Sequence, residues 1–543
     1  MSESANEATQ VPVYAWSRLG YVLEAPGAAP DTVEAWCYTN RMSYLPGDTV
    51  DVHIHTTAAR YSLRVVRDGL NPQVVWQDDG LEGRAQATHA NPYEAGCDWP
   101  VEQQVPIGED WQSGYYLLII SVEDGDSVHE REHFFVVRAP AARQATYVLI
   151  HTTSTLIAYN DWGGANHYRG IGEPPLDEVP SPVLSTQRPI ARGMLRLPED
   201  APRESNPATP PRDFEPVYPA MDWAQQHGYS RHYASAGWAA FERHFVVWAE
   251  GNGYRLDHMT QHDLHQVPGC LDGYECAIIV GHDEYWTWEM RDEIDRYVEA
   301  GGNLARFAGN FLWQVRLEDD DQQQVCYKDP NADPLLRTDP SRVTTIWDAP
   351  CIGRPGASTM GLTALAGVYN RFGASTPRST GGYTVHRPDH WVFANTNLFY
   401  GDVFGGVPVC IATFELDGVD YTVRNGLPYP TFTDGAPETL EILALAPAVS
   451  GEIDRWSGQL SLGAPLSDFD RAVEAIWEGA LPERLSTGFG AGMMATFTRG
   501  NGEVFNAGST EWVQGLRHDE QFTVQITHNV LRRLGAQQRK EVT

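Results

Sequence analysis

The sequence predicts a mixed fold: an antiparallel β-sandwich over residues 1–143, then an α/β parallel-sheet domain over 144–543 with a β-rich insertion at about 360–500. Three observations predict it. At 543 residues the chain is too long for one ordinary core. From Val33 to Arg138, short and partly alternating apolar runs are separated by Gly, Pro, Asn and Asp clusters, the pattern of an all-β unit. Beyond the small-residue linker Ala139–Arg143, helical patterns alternate with apolar strands, which is βαβ grammar and calls for a parallel sheet.

In the first part, Thr49–His55, Tyr61–Val66 and Tyr115–Val122 read as strands, with turns at Pro46-Gly47-Asp48 and Asp124-Gly125-Asp126. A sandwich of roughly 100 residues is an ordinary size for such a fold. His53 and His55 lie two apart, on one strand face, and fit a half-exposed face better than a metal pair. The second part opens on the strand Thr146–Ile150. The helix Phe241–Glu250, the strands Tyr254–Leu256 and Ala277–Val280, the helix Trp288–Ala300 and the strand Leu304–Ala308 follow. The Pro-rich stretch between Gly170 and Trp223 is expected to be a site lid, a partner-binding arm or disordered. Val407–Leu416 reads as a strand of the β-rich insertion, Val504–Asn506 as a last strand and His518–Leu534 as a closing helix.

Composition excludes several classes of function. A hydrophobic content of 42% with 17 Trp, 24 Tyr and 18 Phe supports packed globular domains rather than general disorder. The net charge of −33 repels phosphate backbones and anionic membranes, so nucleic acid is not expected as a partner. No run of about 18 apolar residues is present, so no membrane span is expected. The start, MSESANEATQ, has neither the basic segment nor the apolar run of a signal peptide, and a cytoplasmic location is the expectation. Seven scattered cysteines without a C-x-x-C pair read as reduced, buried thiols.

The stretch most suited to chemistry is Glu275–Arg291, ECAIIVGHDEYWTWEMR. Its β-branched apolar run fits a strand buried on both faces, and it stops at Gly281 before His282, Asp283, Glu284 and Tyr285. That polar cluster therefore sits on a strand-to-helix turn, at the sheet edge where ligands bind in open α/β folds. The plainer reading is that Asp283 and Glu284 cap the next helix. The loop Thr152–Tyr168 also leaves a strand's carboxyl end, and Gly163-Gly164 would let Tyr168 return toward Tyr159. From residue types and spacing alone, packing aromatics is the favoured reading of that pair. A nucleophile elbow would need Ser or Cys where His282 or Asp283 stands, so covalent hydrolysis loses its central residue. His258, His262 and His265 read as a solvated turn, Leu317–Gln324 as a surface loop and Gly301-Gly302 as a helix stop.

The combination AYNDWGGANHY, GHDEYW, GGNLARFAGN and FELDG resembles the large, catalytic subunit of the N,N-dimethylformamidase family, from about Glu34 to the C-terminus. The resemblance implies a β-sandwich followed by a class I glutamine amidotransferase-like α/β domain. It also implies a mononuclear Fe3+, held by two tyrosines and one glutamate, that hydrolyses the C–N bond of a small amide. Carried over by motif, Tyr159 in AYNDW and Tyr168 in NHY are the tyrosine ligands and Glu284 in HDEYW is the carboxylate ligand. His282 and Asn310 line the pocket, and Glu415 in FELDG is the free carboxylate that serves as general base. This chain is shorter than that family's large subunit, so altered contacts to a small partner subunit or a changed substrate are expected, with a homo-oligomer as the assembly.

The implied set is physically coherent. Three hard anionic oxygens select a hard cation, phenolates suit ferric iron, and three protein ligands leave room for water and a carbonyl. Two alternatives stay open at this point. One is a non-catalytic binding or scaffold protein with a degenerate amidotransferase-like domain, consistent with the missing nucleophile. The other is a hydrolase using zinc or another divalent ion at His282 and Glu284 with the histidines at 258–265.

Overall fold

The computed structural model describes residues 24–27, 33–171, 179–202, 219–368, 380–449 and 489–536. In the first part the strands are β1 (Ala35–Thr39), β2 (Ser43–Tyr44), β3 (Thr49–Thr56), β4 (Arg60–Asp68), β5 (Gln73–Glu82), β6 (Val101–Pro106), β7 (Gly114–Asp124) and β8 (Ser127–Val137). They form two facing sheets, β1-β3-β6 and β2-β8-β7-β4-β5. Alternation explains the facing: Val50, Val52 and Ile54 of β3 share a buried core with Leu63 and Val65 of β4 and Leu118 of β7. The opposite face of the second sheet is buried as well. Tyr115, Leu117, Phe134 and Val136 belong to the core of the following α/β part, which is why β7 reads as a nearly continuous apolar run. His53 and His55 are spent on backbone carbonyls of different segments, 2.6 Å from Trp99 O and 3.1 Å from Gln86 O.

The second part is built on one nine-stranded sheet. Its strands are β9 (Tyr147–His151), β10 (Leu256–Thr260), β11 (Cys276–His282), β12 (Asn303–Gly309), β13 (Tyr383–Val385), β14 (Val403–Phe404), β15 (Glu441–Val449), β16 (Phe489–Arg499) and β17 (Gly502–Asn506). Their order is β10-β9-β11-β12-β17-β16-β15-β13-β14. The first five are mutually parallel and the last four join antiparallel. Four of the described strands between 360 and 500 therefore supply the antiparallel half of this same sheet, while Thr363–Val368 pairs with Leu416–Gly418 and Tyr421–Arg424 with Leu427–Pro430 in two small sheets of their own. β11 has parallel neighbours on both sides and is buried at every residue, as its apolar run requires.

Several segments differ from the pattern-based expectation. Val407–Glu415 is not a strand: the chain turns through left-handed backbone at Cys410 and Glu415, and pairing starts only at Leu416–Gly418. Of the Pro-rich stretch, 172–178 and 203–218 lie outside the described residues. The part between them holds the strand Val183–Ser185 and the fully buried Arg188, whose guanidinium donates to the carbonyls of Ser185, Trp162 and Asn160. The histidine-rich turn is the helix Gln261–Gln266, capped reciprocally by Thr260 and Asp263. Leu317–Gln324 is a hairpin pairing Arg316–Glu318 with Gln323–Val325, and the closing helix, Gln521–Leu534 as expected, is preceded by a further short helix, Trp512–Arg517. All seven cysteines are unpaired. Among the described residues no helix is long and apolar enough to cross a membrane.

Burial favours the neutral form of several imidazoles inside the protein, among them the three of His133, His167 and His262. Burial pushes His133 down to about 4, and His167 and His262 down to about 3, from the ordinary 6.5. The unfolded chain protonates them near 6.5, so their contribution is complete above that pH and is lost as pH falls toward 4. Each is worth roughly 1.4 kcal/mol per pH unit in that window. Burial raises the Asp283 carboxyl to about 6, which opposes one of the three below that pH. The expected result is a urea midpoint that falls steadily between neutral pH and about 4. A midpoint flat over that range would contradict the neutral buried imidazoles.

Candidate active site

Three segments leave the carboxyl edge of the parallel strands side by side. β9 passes into the helix Thr153–Tyr159, β11 into Asp283-Glu284, and β12 into a turn at Asn310. Glycine is required at two of these exits. Gly281 has φ +83°, and a Cβ there would lie 2.3 Å from Cβ of Phe241 in the π-helical turn Trp238–Glu242. A Cβ on Gly309 would lie 2.4 Å from Glu415 O, so only glycine lets the Glu415 segment rest on the sheet edge. The helix Trp288–Glu299 is capped by Thr287, whose hydroxyl accepts from Met290 N. Capping therefore uses neither Asp283 nor Glu284.

Glu284 is the meeting point of the two tyrosines. Its Oε2 accepts from Tyr159 OH at 3.0 Å and from Tyr168 OH at 2.7 Å, while Oε1 accepts from Trp313 Nε1 at 2.8 Å. The two rings stand 4.5 Å apart by centroid, and Gly163 and Gly164, both at positive φ, carry the loop that returns Tyr168. Tyr285 OH donates to Tyr168 OH at 2.8 Å. These contacts place the tyrosines predicted from the loop around one carboxylate oxygen.

His282, Asn310 and Glu415 adjoin this cluster. His282 Nδ1–H donates to Ser235 O at 2.7 Å, which fixes the ring and leaves Nε2 facing the site. Nε2 lies 2.6 Å from Glu415 Oε2, 3.4 Å from Glu284 Oε2 and 3.1 Å from Asn310 Nδ2. All four side chains are buried. Burial pulls the His282 imidazole down, but Glu415 and Glu284 outweigh it and hold the ring well above its ordinary pKa. The two carboxylates are driven apart. Burial raises both, yet hydrogen bonds and charge from His282, with Lys328 and Tyr168, leave Glu284 below the ordinary range, whereas Glu415 stays above it. The two carboxylates of the site thus differ in how readily they hold a proton.

Sequence reasoning missed Trp313, Ser235, His232 and Lys328. Lys328 carried a signal: the chain has only two lysines, Lys328 and Lys540. The first is buried, with Nζ 3.6 Å from the Tyr168 ring centroid and 5.0 Å from that of Trp313. His232 packs at 5.2 Å from the Tyr159 ring and 5.7 Å from Tyr168, and burial, with Arg231, holds it well below its ordinary pKa.

Among the described residues, no group of three His, Cys, Asp or Glu side chains is arranged to hold a metal ion. His258, His262 and His265 bond to His151, Thr153 and Thr287, and none of these contacts reaches Glu284. The oxygens that do converge are those of Tyr159, Tyr168 and Glu284, a set fit for a hard cation. Burial, then Glu284 and Glu415, push the Tyr159 phenol well above its ordinary pKa, so its ionisation would need a cation beside it.

A family model described as N,N-dimethylformamidase beta subunit-like, C-terminal, matches residues 62–524. The chain belongs to this family. The matched span begins within β4 and includes Tyr159, Tyr168, His282, Glu284, Asn310 and Glu415. Two relatives, the N,N-dimethylformamidase beta subunits of Alcaligenes sp and Paracoccus aminophilus, are each 32% identical over 73 residues, which is 13% of this chain and 10% of theirs. The matched stretch thus spans about a tenth of the length of these dimethylformamidase subunits.

Proposed function

We propose that the protein is an iron-dependent amidohydrolase that cleaves the C–N bond of a small amide with an activated water. The observation that carries this reading is the convergence of Tyr159 OH and Tyr168 OH on one oxygen of Glu284, beside the His282–Glu415 pair. Membership of the dimethylformamidase beta-subunit-like family supports the choice of reaction.

In this reading Tyr159, Tyr168 and Glu284 hold a mononuclear ferric ion. When bound, the ion supplies Lewis-acid polarisation of the amide carbonyl and acidifies a water. Glu415, whose carboxyl burial keeps above the ordinary range, accepts the proton of the attacking water and passes it to the departing amine nitrogen, because an amide anion leaves too poorly to go unprotonated. His282 is oriented by Ser235 O and shares its Nε2 proton with Glu415, while Asn310 adds an amide donor. These donors suit the oxygen on which negative charge develops. Trp313 and Tyr285 orient Glu284 and Tyr168 through the hydrogen bonds described above.

The reading extends to the whole chain. The parallel half of the sheet supports an amidotransferase-like body over 144–543, following a sandwich over 1–143. The chain corresponds to the catalytic subunit, acts in the cytoplasm and assembles as a homo-oligomer that can take a small partner, since the similar proteins are named as subunits. Elemental analysis together with hydrolysis of a panel of formamides, acetamides and ureas tests the proposal. About one iron per chain, a visible tyrosinate band and amine release are expected. Colourless, iron-free protein without amidase activity would refute it.

A further inference from the structure

We infer that Asp417, working with Arg306, is the positioning residue that sets Glu415 and Asn310 against His282. Glu415 and Asn310 are both non-glycine residues in left-handed backbone, at φ +49° and +65°. Such conformations persist only where the surroundings hold them. Both side chains end at the same atom, His282 Nε2. Asp417 touches both turns. Its Oδ1 accepts from the backbone N–H of Phe311, next to Asn310, at 3.1 Å. It lies two residues beyond Glu415, and its own N–H is anchored on Gly508 O at 3.0 Å.

Asp417 Oδ2 accepts from Arg306 Nη1 at 2.6 Å. Arg306 stands on β12 and grips Asp283 with its other edge, through Nε to Oδ2 at 2.7 Å and through Nη2 to Oδ1. Its Nη1 also donates to Asn506 Oδ1 at 3.1 Å. One guanidinium on β12 therefore ties together the end of β11, the end of β17 and the 415–417 segment. Arg306, Asp283 and Asp417 are all fully buried. Successive residues of an extended chain face opposite ways, so Asp283 points away from the side carrying His282 and Glu284. The ion cluster lies behind the site and leaves its inner face free. A bidentate guanidinium gives this link a defined geometry that a point charge would not.

The test uses Asp417→Asn, which keeps shape and an acceptor for Phe311 N–H but removes the charge Arg306 holds. Arg306→Lys, which keeps the charge but not the fork, is the second variant. Crystal structures of the wild type and both variants provide a readout independent of activity. Glu415 is expected within hydrogen-bond reach of His282 in the wild type and beyond it in the variants. The kinetic arm rests on the amidase reading: kcat should fall by roughly 10²-fold, the scale of an ångström's misplacement, with KM and iron content unchanged. Because Asp417 acts in large part through Glu415, Glu415→Gln/Asp417→Asn should lose less than the product of the two single losses. Glu415 remaining on His282 in both variants, or losses that multiply in the double variant, would overturn the inference. So would failure of both variants to fold, which would assign the cluster to the core. A wild type without amidase activity would sink the functional proposal and leave the crystallographic arm to decide this one.

Discussion

Replacing Tyr159 and Tyr168 together with phenylalanine is expected to strip the protein of iron and colour and to abolish amide hydrolysis, while the fold survives. The change removes two of the three proposed ligand oxygens and keeps both ring volumes, so packing against His232 is retained. Its cost to stability is the loss of two donors to buried Glu284, on the order of 1–3 kcal/mol for an acceptor left short of partners. Glu284→Ala should lose the metal as well, and it leaves Trp313 Nε1 without its acceptor. Iron content by elemental emission, the visible absorption band and thermal melting provide the three readouts. A double variant with full iron and full activity would make these tyrosines packing residues.

Glu415→Gln is expected to separate chemistry from metal binding. The amide has nearly the shape of the carboxylate and stays beside His282, so iron and colour should remain. It cannot accept a proton, so kcat should fall by roughly 10²–10⁴, the usual contribution of a general base. Iron content and turnover measured on the same preparation decide the matter. Loss of iron in this variant would instead place Glu415 among the ligands, and unchanged turnover would move the base elsewhere, with His282 the nearest group.

The sites differ in how far the sequence revealed them. The His282–Tyr285 turn was legible because a strand buried on both faces needs an unbroken apolar run, and Ala277–Val280 ending at Gly281 can hardly be anything else. The tyrosines were half legible: two glycines foretold the returning loop, yet residue types alone favoured plain packing. Their shared acceptor, Glu284, lies more than a hundred residues later in the chain, where the sequence gives no sign of it. Val407–Leu416 misled because an apolar run carries no mark of where its backbone turns left-handed. The turn at Glu415 rests against Gly309, and the segment beyond it is held by the bonds of Asp417 to Arg306 and to Gly508 O.

What the sequence determined by itself was therefore local: that Ala277–Val280 belongs to a buried strand, that the polar cluster follows it directly, and that no Ser or Cys nucleophile stands there. These depend on neighbours within a few residues, where apolar periodicity and glycine leave a direct record. Tertiary structure alone decided that Tyr159 and Tyr168 share one carboxylate oxygen and that a rare lysine lies over one of them. It alone decided that Arg306 joins Asp283 to Asp417. Each of these contacts links residues far apart in the chain, brought together by the order in which the parallel strands stack, and a charged residue's own neighbours carry no trace of its distant partner.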